Sequence, residues 1–86
     1  MTVTPTYLSF RQNQSGEYIR RAMLKVSGLA SGTANTIAHG LPSTPQIANY
    51  VPLVAAGGFE TSDPDATNLY YTTGSGETSL KVYLEY

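Results

Sequence analysis

The sequence predicts an all-β domain: a small antiparallel β-sandwich or partly open barrel of five to seven short strands, with an N-terminal arm. Three observations carry this. Segments 18–27 and 79–86 alternate apolar and polar residues with the period of a half-buried strand. Turn signals built from Gly, Pro, Asp and Ser recur every eight to twelve residues. No segment combines the length, capping box and apolar stripe of an amphipathic helix.

The elements follow in order. Residues 1–17 are polar, broken by Pro5 and by Arg11-Gln12-Asn13-Gln14-Ser15-Gly16, with Tyr7, Leu8 and Phe10 as the only large apolar group. This predicts an arm or edge segment, with the β-domain spanning 18–86. In Tyr18–Ser27, Ala22, Leu24 and Val26 alternate with Arg21 and Lys25, which favours a strand over the rival helical face of Ile19, Met23 and Val26. Ser31-Gly32 is a turn, and Thr33–Ala38 a short strand. His39-Gly40-Leu41-Pro42-Ser43-Thr44-Pro45 contains two prolines, which exclude helix and central strand. Gln46–Ala55 has Ile47, Val51 and Leu53 on one face and Tyr50 and Val54 on the other, and Pro52 confines it to an edge or bulge. Gly57-Gly58 is expected to turn a hairpin into Phe59-Glu60-Thr61, and Gly74-Ser75-Gly76 to close another. Asp63-Pro64-Asp65 is a further turn. Asn68–Thr73 places Leu69 and Tyr71 opposite Tyr70, and Ser79–Tyr86 sets Leu80, Val82, Leu84 and Tyr86 against Lys81, Tyr83 and Glu85.

Composition bounds the function. The chain has 86 residues, five Lys+Arg, six Asp+Glu, one His and no Cys. Charged residues make up 13%, against roughly 25% in ordinary globular proteins. The absence of Cys excludes a disulfide scaffold, a Cys-ligated zinc and a thiol nucleophile. A net charge of −1 argues against a nucleic-acid partner. No apolar run approaches the ~18 residues of a membrane span, and the first residues lack the charged and apolar regions of a signal peptide. A chain this short buries only about 60–65% of its unfolded surface. A homo-oligomer whose contacts complete the core is therefore expected.

The reactive residues point away from catalysis. His39 with Asp63 or Asp65 and a serine could form a triad in number only, because no nucleophile elbow is present. Asp63-Pro64-Asp65 lacks the remaining ligands of a calcium loop and is expected to form an Asx-type turn. No metal or cofactor is predicted. Arg20, Arg21 and Lys25 are expected on a solvated face or in an inter-subunit ion pair with Glu17 or Glu60. His39 is read as a ring packed at a strand end and hydrogen-bonded to backbone, beside a Gly40 free to adopt an unusual backbone angle. Tyr50, Tyr70, Tyr71, Tyr83 and Tyr86 suit a subunit interface more than a sugar-stacking platform.

Two stretches carry a resemblance. Leu24-Lys25-Val26-Ser27-Gly28-Leu29 leads into Thr36-Ile37-Ala38-His39-Gly40-Leu41-Pro42, with Pro45 before the next strand. Asp63-Pro64-Asp65-Ala66-Thr67-Asn68-Leu69-Tyr70 then precedes the closing Leu80–Tyr86. This resembles small structural proteins of tailed bacteriophages, in which a strand, a T-I/V-x-H-G-L step and a proline lead to another strand. The likeness spans about residues 22–86 and leaves the arm unmatched. It implies a structural role for His39, Gly40, Leu41, Pro42 and Pro45 and no catalytic residue. It also implies a virion protein that is not an enzyme, first of all a capsid decoration or cement protein. Such a protein would be a homo-oligomer, a trimer in the first reading, bound to the major capsid protein or another virion protein. It would be made in the bacterial cytoplasm. Tyr7, Leu8, Phe10 and Arg11 are the expected contacts to neighbours. The alternative is a tail or fibre domain that binds a host glycan through Tyr70, Tyr71, Asn68 and Asp65.

Overall fold

The protein is all-β. A computed structural model describes residues 1–8, 11–12, 18–55 and 57–86, with Arg11, Gln12, Tyr18 and Ile19 placed by backbone alone. The strands are β1 (Thr2–Tyr7), β2 (Arg11–Gln12), β3 (Tyr18–Ile19), β4 (Arg21–Ser27), β5 (Ala34–Ala38), β6 (Ile47–Pro52), β7 (Phe59–Ser62), β8 (Asn68–Thr72) and β9 (Ser79–Glu85). Seven of them form two antiparallel sheets, one ordered β1-β4-β9-β6 and one ordered β5-β8-β7. The two-residue strands β2 and β3 pair in a separate ladder.

The core follows from alternation. Ala22, Leu24 and Val26 of β4 lie directly opposite Leu84, Val82 and Leu80 of β9, and all six are buried. Ile37, Leu69 and Tyr71 of the second sheet join them in one buried cluster, together with Leu29 and Leu41. Fully burying one such leucine stabilises the fold by about 1.5–3 kcal/mol. Ala48 and Tyr50 are the residues β6 packs against the core, so its Ile47 face is the outward one. Tyr50 stacks on Tyr71, ring centroids 5.0 Å apart.

Thr2–Tyr7, expected as an arm or edge segment, pairs along its whole length with β4 as an edge strand of the main sheet. Its Thr-Val-Thr-Pro-Thr-Tyr sequence has the β-branched residues a strand favours, and an edge tolerates the missing N–H of Pro5. Gly57-Gly58 is not a hairpin turn, because β6 pairs with β9 and β7 with β8. Gly74-Ser75-Gly76 likewise carries the chain from one sheet to the other. There Glu77 N–H donates to the Gly74 carbonyl, closing a turn with Gly76 at φ 78°. Of the expected turns, Asp63-Pro64-Asp65 is the one that joins two paired strands, β7 and β8.

Candidate functional site

Strand pairing builds one exposed, chemically mixed surface: the outer face of the four-stranded sheet. Arg21, Met23 and Lys25 of β4 stand opposite Glu85, Tyr83 and Lys81 of β9, which in turn stand opposite Ile47, Asn49 and Val51 of β6. Arg21 Nε donates to Glu85 Oε1 at 2.9 Å. It is the single ion pair among the described residues, and at this exposure such a pair contributes under about 1 kcal/mol. Beside it lies a cleft of about 330 Å³ lined by Leu8, Arg21, Ile47, Asn49, Tyr83 and Glu85. The backbone N–H of Leu8 donates to the Arg21 carbonyl at 2.9 Å, which holds the end of β1 at the rim.

The expected interface residues divide. Tyr7 and Leu8 are exposed at 62% and 42%, and Leu8 lines the cleft. Arg11 pairs through its backbone with Ile19. Phe10 lies outside the described residues. The register adds Ile47, exposed at 55%, which sequence reasoning did not single out as a contact, and sets it near Tyr83, exposed at 43% and one of the tyrosines expected at an interface. Residues 8, 21, 47 and 83 meet only through long-range pairing, which leaves no local signature.

His39 sits in the second layer, buried. Its Nδ1 accepts from Leu41 N–H at 3.0 Å, so the proton is on Nε2, which donates to the Asp65 carbonyl at 2.9 Å. Gly40 has φ 68°, the left-handed backbone that returns the chain toward this ring. Leu41 and Pro45 are buried, while Pro42 is exposed. The ring therefore clamps the β5–β6 loop to the β7–β8 hairpin. With both nitrogens on backbone, it has none left to activate a serine.

Asp65 is the working residue of its turn. Its Oδ1 accepts from Thr67 and Asn68 N–H, and its Oδ2 from the Tyr70 hydroxyl. The Tyr70 bond first, then the two backbone amides, hold its carboxyl below the usual 3.8. The charged form is thus favoured in the fold. The resulting stability is complete above the usual value and disappears as pH falls through the depressed one. Asp65→Asn should therefore show a lower urea midpoint than the parent at neutral pH. The two midpoints should converge below pH 3.8. An undiminished gap in acid would refute this role.

The tyrosines do not form an open platform. Tyr71 is 1% exposed, and Tyr70 spends its hydroxyl on Asp65. Burial first and the nearby Glu60 carboxylate second raise the Tyr50 phenol above its usual range, and among the described residues its Oη has no partner at hydrogen-bond geometry.

Glu77 was not flagged by the sequence. It is wholly buried and accepts from Gly58 N–H at 3.0 Å, from Gly74 N–H at 2.9 Å, and from the Tyr71 hydroxyl at 3.0 and 3.1 Å to its two oxygens. It fastens both sheet-crossing glycine loops to β8. No local pattern marks a glutamate after a Gly-Ser-Gly turn as buried.

No family model matches the chain, and neither a curated protein nor a solved structure matches it. Among the described residues, no cluster of His, Asp and Glu has a metal-binding arrangement, and no helix is long and apolar enough to cross a membrane.

Proposed function

We propose that this chain is a bacteriophage virion structural protein without enzymatic activity, a capsid decoration protein that binds the assembled shell as a homo-oligomer. The observation that carries the reading is the gathering of Leu8, Ile47 and Tyr83 around one cleft. Isolated exposed apolar residues are ordinary, whereas a contiguous apolar group rimmed by polar ones marks an interaction surface. Here the rim is Arg21, Glu85 and Asn49. The resemblance over residues 22–86 supports the virion. The mechanism is mass action: a partner that binds only the assembled shell stabilises it, by about 2.7 kcal/mol at a hundred times its dissociation constant.

Purified particles should contain the chain in proportion to the capsid subunit, and Leu8→Ser combined with Ile47→Ser should strip it from them. Deleting the first sixteen residues is the poorer test, because it removes β1 and bares the edge of β4. Normal occupancy by the folded double variant would remove the cleft from the capsid contact. Copy number matching a tail component would overturn the decoration role.

A further inference from the structure

The cations of this chain are unevenly distributed. All five cations, Arg11, Arg20, Arg21, Lys25 and Lys81, fall within residues 11–25 or on β9, and residues 26–80 contain no lysine or arginine. On the outer face of the four-stranded sheet, Arg21 is neutralised by Glu85, but Lys25 and Lys81 stand directly opposite each other in register. Like charges in that position destabilise a strand pair. Neither lysine has an acidic partner among the described residues. The neighbours facing them across the sheet are Thr4 of β1 and Val51 of β6, and neither offers a charge.

The acids lie elsewhere. Glu77 is buried inside the fold, and Asp65 is held by its own turn and by Tyr70. Glu17 lies outside the described residues. That leaves Glu60 on β7, near Tyr50, and Asp63 just past the end of that strand as exposed carboxylates of the second sheet, with Phe59, 64% exposed, on the other face of the same edge strand. Among the described residues, one chain thus carries a cationic pair without an acidic partner on one sheet and an acidic edge without a cationic partner, with an apolar side chain, on the other.

We infer that the Lys25–Lys81 surface of one copy docks on the Glu60–Asp63 edge of a second copy. Because the two surfaces differ, the contact is head-to-tail, and it closes into a ring where the rotation per step permits. Docking an acidic edge over the two lysines relieves their mutual repulsion, a term each isolated chain bears alone. Phe59 supplies the apolar part of the contact. This inference rests on the homo-oligomeric part of the function proposed above and assigns its surfaces.

The test is sedimentation of the full chain, with circular dichroism confirming that each variant is folded. All four substituted positions are exposed or half-exposed. Lys25→Glu with Lys81→Glu should weaken self-association by about 100-fold or more, and so should Glu60→Lys with Asp63→Lys. The chain carrying all four reversals should recover it, since both surfaces have changed sign together. Raising salt from about 0.05 to about 0.5 M should weaken the parent assembly without any substitution. Association insensitive to salt and to either reversal overturns the inference. A parent chain that stays monomeric also overturns it, and a monomer that still coats capsids would leave the decoration role standing. An intact, charge-dependent ring absent from particles would do the reverse.

Discussion

Glu77→Ala is expected to destabilise the fold by about 3–5 kcal/mol, seen as a large fall in the urea midpoint. The carboxylate is fully buried and takes three donors, the amides of Gly58 and Gly74 and the Tyr71 hydroxyl. Removing it leaves them without a partner in the interior, at about 1–3 kcal/mol for each donor that stays unsatisfied. The figure is below the sum because Gly58 N–H also reaches the Tyr71 oxygen at 2.9 Å and because water can enter the space. Tyr71 is suited to the donor role. Burial first, and then its bond to Glu77, raise its phenol above the usual range, so it keeps its proton. Total stability for a chain of this size is about 4–13 kcal/mol, so the loss approaches unfolding. Glu77→Gln should be milder, because the amide retains an accepting oxygen and can donate to Tyr71 in return. Hydrogen exchange would locate the effect: the Gly58 and Gly74 amides should lose protection before those of β4 and β9. A loss under about 1 kcal/mol for the alanine variant would show that these loops hold without the carboxylate.

The same residue shows where the sequence stops being readable. Ala22, Leu24 and Val26 and their partners Leu80, Val82 and Leu84 were legible, because a strand with one buried face writes its period directly into the chain. Leu69 and Tyr71 opposite Tyr70 were legible for the same reason. Sheet membership was not. A Gly-Gly or Gly-Ser-Gly signal reports that the chain bends, not which sheet the next strand joins, so both glycine loops read as hairpins when they are crossovers. Glu77 binds Gly58 across nineteen positions, a contact no local window contains. The candidate site divides along the same line. Tyr7 and Leu8 stand out as large apolar residues in a polar segment. Ile47, Asn49 and Glu85 become neighbours of Leu8 only through the register of β4, β9 and β6. The lysine pair has the same origin, since Lys25 and Lys81 are each unremarkable until pairing sets them opposite each other.

Gly58→Ala should be the most damaging single methyl in the molecule, with a loss above about 4 kcal/mol or outright failure to fold. A Cβ built at Gly58 lies 1.7 Å from the Thr72 carbonyl oxygen, 2.7 Å from the Thr72 carbonyl carbon and 2.9 Å from that of Thr73. All three atoms are backbone, so no rotamer change can yield. The start of β7 would have to leave β8, breaking the Phe59–Thr72 pairing and pulling the Gly58 amide from Glu77. The cost is one of space, not of backbone angle, because Gly58 is not among the glycines with positive φ. Gly40→Ala supplies the contrast. At φ 68° it meets the left-handed penalty of about 1–2 kcal/mol, but nothing lies within 4 Å of its added Cβ. Urea denaturation of the two variants should therefore separate them by at least about 2 kcal/mol, with Gly58→Ala the weaker. Equal losses would mean that β7 can shift away from β8 at little cost. In that event the Glu77 clamp, which reaches β7 through the same Gly58 amide, would not be what holds the second sheet together.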